Sequence, residues 1–233
     1  MRYLFLVVIL SSFYSQTMAQ GMWFGPRTGF DLNFQQWNGA ERNTIITPHF
    51  DFLIESYTED DPSSLYAFLG YHTRGSSIRF NFFNGASGFD YRFNNIVLGV
   101  GAKRFIQDKA KFRPYYILGI RGEYTIGTNL DQYTESPLAA FHPNDQFVNK
   151  INYGVTLGMG FDYPLGELYS GMVEFAIHPD VSKQYEQPAL ANVVVPQTPF
   201  STSGTSNIPQ RDIRNLSFEV TIGIRFLRKV EYY

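Results

Sequence analysis

His49 and Asp51 stand two residues apart, and His72 and Arg74 repeat that spacing, in a chain of 233 residues with four histidines and no cysteine. A histidine beside a carboxylate is the pairing that supplies a general base with its orienting group. On an extended strand both members of such a pair face the same side. They are also separated by about 7 Å of strand rise, so spacing alone does not bring them into contact. The favoured reading is an interior polar network that fills a lumen, with Glu55, His72 and Arg74 expected in the same network as His49 and Asp51. A metal site is a weak reading, because the histidines and carboxylates do not fall in a diagnostic ligand spacing. His142, Asp145 and the run from Ser201 to Ser206 carry no motif. No catalytic, cofactor-binding or metal residue is assigned from the sequence. The lack of cysteine excludes disulfides, thiol catalysis, thiolate metal sites and a lipid-anchored cysteine.

The elements that must carry these residues are strands. The run LSFEVTIGIRF over residues 216–226 puts Leu216, Phe218, Val220, Ile222, Ile224 and Phe226 on one face, against Ser217, Glu219, Thr221, Gly223 and Arg225 on the other. A period of two with one apolar face marks an amphipathic strand, and about ten residues cross a bilayer when tilted. The same pattern recurs at 24–34, 46–54, 65–74, 95–104, 113–124, 151–163 and 169–178, eight strands in all. The apolar faces carry no charge over their central spans. Arg27, Asp31, His49, Asp51, Glu55, His72, Arg74, Lys103, Arg121, Glu123, Glu174, Glu219 and Arg225 all fall on the opposite face. A soluble barrel needs apolar side chains inside, which would leave these groups in water. A membrane barrel needs lipid outside and a narrow wet lumen of paired charges inside. The fold expected is therefore all-β: an eight-stranded antiparallel transmembrane up-and-down barrel.

Composition agrees. Aromatic residues make up 17% of the chain, with 16 Tyr and 22 Phe, as suits strands and membrane interfaces. A net charge of -2 gives no basic surface for nucleic acid. Residues 1–19 have the form of a secretory signal, with Arg2 before an apolar stretch and Thr17-Met18-Ala19 as a small-x-Ala cleavage site. The barrel domain is then 20–233. Short connections at 58–64, 106–112 and 164–168 alternate with longer ones at 35–45, 75–94, 125–150 and 179–213. Short periplasmic turns and long outer loops are the outer-membrane pattern, which places both termini in the periplasm. Phe24, Tyr116, Tyr163, Tyr169 and Phe226 are expected at one rim, and Phe34, Tyr71, Tyr124, Tyr153 and Phe218 toward the other. Inward glycines such as Gly99, Gly119 and Gly160 are expected to make room for neighbouring Arg and Tyr side chains.

The segments GYHTRGSSI (70–78), NNIVLGVGAK (94–103) and RPYYILGIR (113–121), with the signal segment and the last strand, resemble the PorT-like outer-membrane β-barrel proteins of Bacteroidetes-type bacteria. The resemblance implies an eight-stranded barrel, no catalytic residues to carry over, and in one branch assistance to protein secretion. Leu-Arg-Lys-Val-Glu-Tyr-Tyr after Phe226 departs from the usual barrel ending and leaves open whether Phe226 or Tyr233 is the assembly signal. The expected role is that of a non-enzymatic, monomeric outer-membrane protein, structural or partner-binding. Its contacts would be lipid around the strands and a protein or polysaccharide at loops 125–150 and 179–213. The loop aromatics Tyr133, Phe141, Phe147, Tyr185 and Phe200 either bind that partner or pack across the barrel mouth. A lipid-modifying enzyme, a narrow pore and a soluble ligand-binding barrel are the alternatives.

Overall fold

The computed structural model describes residues 21–38, 42–58, 61–82, 85–106, 111–135, 142–195 and 204–229. The signal segment, Phe141, Phe200, Ser201 to Ser203 and Tyr233 lie outside the described residues.

Alternation of apolar and polar residues gives strands β1 (Gly21–Trp37), β2 (Ile45–Tyr57), β3 (Ser63–Phe82), β4 (Gly85–Phe105), β5 (Arg113–Thr128), β6 (Ile151–Pro164) and β7 (Tyr169–Pro179). Three short strands follow, β8 (Tyr185–Gln187), β9 (Leu190–Val195) and β10 (Gly204–Ile208), and then the long β11 (Arg211–Lys229). Strands β1 to β7 pair in chain order, β7 pairs with β11, and β11 pairs with β1, so eight antiparallel strands close a ring. The closing seam runs from Gly21 opposite Lys229 to Trp37 opposite Ile213. Closure leaves the ring no unpaired edge, which a bilayer requires of any sheet that crosses it.

The side chains alternate about the ring as the lipid demands. Phe30, Phe50, Leu98 and Ile120 point outward and are exposed, while their chain neighbours are buried in the lumen, and Met159 and Ile222 are exposed on the same outer face. Thr28, an outward hydroxyl, donates to the backbone carbonyl of His49 at 2.8 Å and so presents no free donor to lipid. The ten-residue step from Phe24 to Phe34 covers about 25 Å along the barrel axis at ordinary rise and tilt. Aromatic contacts mark both ends of that step: Phe24 against Phe226 and Phe52, Tyr169 against Phe226, and Phe34 against Phe218.

Inward glycines do make room for rings. A Cβ on Gly99 would lie 2.1 Å from Phe68, and one on Gly160 would lie 2.5 Å from Tyr115. The rings so admitted join Leu53, Tyr66, Val97, Ile117, Met172 and Ala176 in an apolar cluster within the lumen.

Three parts differ from expectation. Residues 75–82 and 85–94 are strand and not loop: β3 and β4 stay in register through Gly75 opposite Arg92 to Phe82 opposite Gly85. Residues 179–213 hold β8, which continues the ring against β11 beyond the end of β7, and the separate β9–β10 hairpin. The last strand does not end at Phe226: β11 continues with Leu227, Arg228 and Lys229 opposite Trp23, Met22 and Gly21.

These additions build an extension past the lipid belt, and there the polarity of the sheet reverses. Arg92 and Arg214 now point outward, while Trp37, Tyr91, Phe93, Leu130, Tyr185 and Ile213 are buried inside. Water surrounds this part, so apolar residues belong inside, as in any soluble sheet.

Candidate functional site

The described lumen is filled by ionic side chains that reach across it. At the end nearer the termini, Arg225 bonds Glu55 and Asp162, and Lys103 Nζ lies 3.2 Å from Glu55 Oε2 and 3.3 Å from Asp162 Oδ1. Arg113 Nη2 also approaches Asp162, at 3.5 Å. Next to this group, Arg27 Nε donates to Asp51 Oδ1 at 2.5 Å and Arg27 Nη1 to Glu174 Oε1 at 3.2 Å, with Tyr115 also donating to Glu174. Strand pairing sets these choices: Arg27 and Asp51 are direct register partners across β1 and β2.

A second ionic group lies toward the extension. Arg74 Nη1 is 3.3 Å from Asp31 Oδ2, and its Nη2 is 3.0 Å from Glu123 Oε1 and 3.1 Å from Glu219 Oε1. Arg121 reaches Asp180 at 2.7 Å and Glu123 at 3.2 Å. His49 Nδ1 is 2.8 Å from Asp31 Oδ1, and His178 Nε2 is 2.9 Å from Glu219 Oε2. Above this group Asn215 bonds Gln35 and Gln184, Gln35 accepts from Ser76, Gln184 donates to Thr125, and Asn33 accepts from Ser217, a neutral layer between the charges and the aromatic cap.

His49 and Asp51 both lie buried in the lumen, and as strand spacing implies they do not pair with each other. Asp51 is held by Arg27, and His49 turns instead to Asp31 on the neighbouring strand. Glu55 likewise belongs with Lys103 and Arg225, not with His72 and Arg74. Cross-strand partners sit closer than residues two apart on one strand, so register overrides sequence spacing. His49, Asp31 and His72 are all buried beneath the cap. Asp180 and Asp162, which complete the network, were missed as partners; their signal is only that each continues the inward face of its strand.

In the extension, Tyr133 and Phe147 pack against the apolar cap, and Tyr185 is part of it. These loop aromatics therefore cover the barrel mouth. His142 hydrogen-bonds the Tyr91 hydroxyl through Nδ1 at 2.8 Å and stacks on Tyr133. Burial, with the nearby Arg211 charge, holds the His142 imidazole below its ordinary pKa. The unfolded chain therefore binds the proton more readily than the folded one. Stability from this contact is complete above about pH 6.5 and is lost as the pH falls from there toward the folded pKa. The protection of amides in the Tyr91–Phe93 region, relative to their intrinsic exchange at each pH, is expected to fall between pH 7.5 and about 5, and His142→Phe to blunt that change. Equal acid sensitivity in the variant would contradict this.

A closed ring of eight antiparallel strands, apolar outside and ionic within, defines the class of small outer-membrane β-barrels. The sequence profile of the outer membrane protein beta-barrel domain matches residues 14–179, and the chain belongs to that family, which places it in the outer membrane. Among solved structures it is similar to the outer membrane protein OprG of Pseudomonas aeruginosa, with 12% identity, a TM-score of 0.52 and coverage of 91% of this chain and 98% of that one. It is also similar to Neisserial surface protein A, at 10% identity and TM-score 0.43, over 87% of this chain and 96% of that one. At such identities the likeness to OprG is one of fold. No curated protein matches the chain.

Proposed function

We propose that this protein is a non-enzymatic outer-membrane barrel of the PorT-like kind, closed to solutes, that binds a protein or polysaccharide partner through the part standing beyond the lipid. The carrying observation is the contrast between lumen and hairpin. Ionic side chains in the lumen are buried and face one another, whereas Val194 on the β9–β10 hairpin is 73% exposed. An exposed apolar residue on a surface hairpin is a ready partner contact. The packing of Tyr133 and Phe147 into the cap narrows the candidate surface from 125–150 and 179–213 to the hairpin itself. Short connections at the terminal end support periplasmic termini, with residues 1–19 as the signal for export.

A photo-crosslinking residue at Val194, introduced in native cells, tests this reading. A discrete protein or polysaccharide adduct is expected. It should vanish when residues 190–208 are replaced by a short turn, while the barrel keeps its heat-modifiable migration on gels. Adducts to lipid alone, or none in cells carrying correctly folded protein, would contradict it.

A further inference from the structure

The two ionic groups of the lumen differ in balance. Near the termini, Asp51, Glu55, Asp162 and Glu174 face Arg27, Lys103 and Arg225, with Arg113 at the margin, so four carboxylates meet four cations. Toward the extension, Asp31, Glu123, Asp180 and Glu219 meet only Arg74 and Arg121 among the described residues. Four carboxylates against two guanidiniums leave two positive charges wanting in a buried setting, where uncompensated charge is costly. His49, His72 and His178 lie in the same layer.

Geometry indicates how the deficit is met. His49 and His72 are register partners on β2 and β3, and their rings stack at 4.7 Å with 5° between planes. Protonating both would set like charges face to face. Asp31 and Glu219 are register partners across the closing seam of β1 and β11. One ligand atom from each of these four buried residues lies within 4.8 Å of the other three. His72 Nδ1 is 3.3 Å from both Asp31 Oδ2 and Glu219 Oε1. Asp31 Oδ1 and His49 Nδ1 are 2.8 Å apart, yet neither makes a hydrogen bond, although both are buried. His49 Nε2 is meanwhile held 3.0 Å from Thr221 Oγ1, the kind of outer contact that orients a metal-binding imidazole. Arg74 approaches the same Asp31 Oδ2 and Glu219 Oε1 that His72 Nδ1 faces, and His178 Nε2 lies 2.9 Å from Glu219 Oε2, which leaves Asp31 Oδ1 to His49 Nδ1.

We propose that this layer binds one divalent transition-metal ion, zinc being the best chemical fit, through His49, His72, Asp31 and Glu219. Two imidazoles and two carboxylates suit a closed, four-coordinate structural site. Its charge supplies the two missing positive charges. Its ligands come from β11, β1, β2 and β3, adjacent strands that include the seam, so the ion staples the ring shut. The buried position means that it loads during folding.

Untagged mature protein, refolded in detergent with and without zinc chloride and dialysed against chelating resin, gives the test by metal analysis. About one equivalent of zinc is expected to remain in folded protein, and to fall roughly tenfold or more in the His49→Gln, His72→Gln double variant, while His142→Phe retains it. Zinc-refolded wild type should also unfold at a higher temperature than the metal-free form. Negligible retention by folded wild type, or equal retention by the double variant, overturns the proposal. If the double variant fails to fold, X-ray absorption of zinc-loaded wild type decides: imidazole scattering is required, and its absence overturns the proposal.

Discussion

Replacing Arg74 with Leu should be among the most damaging single changes in the barrel, costing about 3–5 kcal/mol of stability. The side chain is fully buried and its guanidinium touches three carboxylates, Asp31, Glu123 and Glu219. Removal leaves Arg121 as the remaining Arg or Lys among four carboxylates in that layer of described residues. Leucine fits the space but cannot donate, so the carboxylates must take up protons, admit water or move apart, and each response is unfavourable in a narrow lumen. Arg92 gives the internal comparison. It pairs with Asp90 at 3.2 Å, but both are about half exposed in the extension, and Arg92→Leu should cost less than about 1 kcal/mol. Urea unfolding in lipid vesicles, followed by heat-modifiable mobility, measures both. Similar midpoints for the two variants would mean that the buried network contributes little.

The second large effect is on the opposite face. Ile120 is 62% exposed midway between the rim tyrosines Tyr116 and Tyr124, with Val100 and Val155 as its register neighbours. In a water-soluble barrel Ile120→Arg would be close to neutral. Against lipid at mid-depth it should cost roughly 2–4 kcal/mol, whereas arginine in place of Arg214's outward neighbour Asp212 in the extension should cost far less. Vesicle-based unfolding again gives the number, and a neutral Ile120→Arg variant would contradict a lipid-facing surface.

How much was legible in the sequence followed the physics of each region. The run 151–163 shows perfect alternation of large apolar with small or polar residues, and it is β6. Eight such runs identify the ring, because lipid outside imposes one constant rule on the outward face. Within 75–94, residues 91–93 obey the reverse rule. Tyr91 and Phe93 point inward and Arg92 outward, since water surrounds the extension, so a reading keyed to outward apolar faces stops at the edge of the lipid. The charges inside were legible as a set but not as pairs. Whether Asp51 meets His49 or Arg27 depends on the register of β1 with β2, which places Arg27 directly opposite Asp51. Asp31 carries no sequence mark beyond its inward position. Only the seam pairing with Glu219 and the approach of His49 give it a role.

The central claim is a lumen closed by its own ion pairs, with the working surface outside the lipid. Ion flux from proteoliposomes tests it most directly, with insertion verified by the heat-modifiable migration of the recovered protein. Wild-type protein is expected to release entrapped potassium no faster than empty vesicles. A sustained potassium flux through correctly folded wild type would contradict the account.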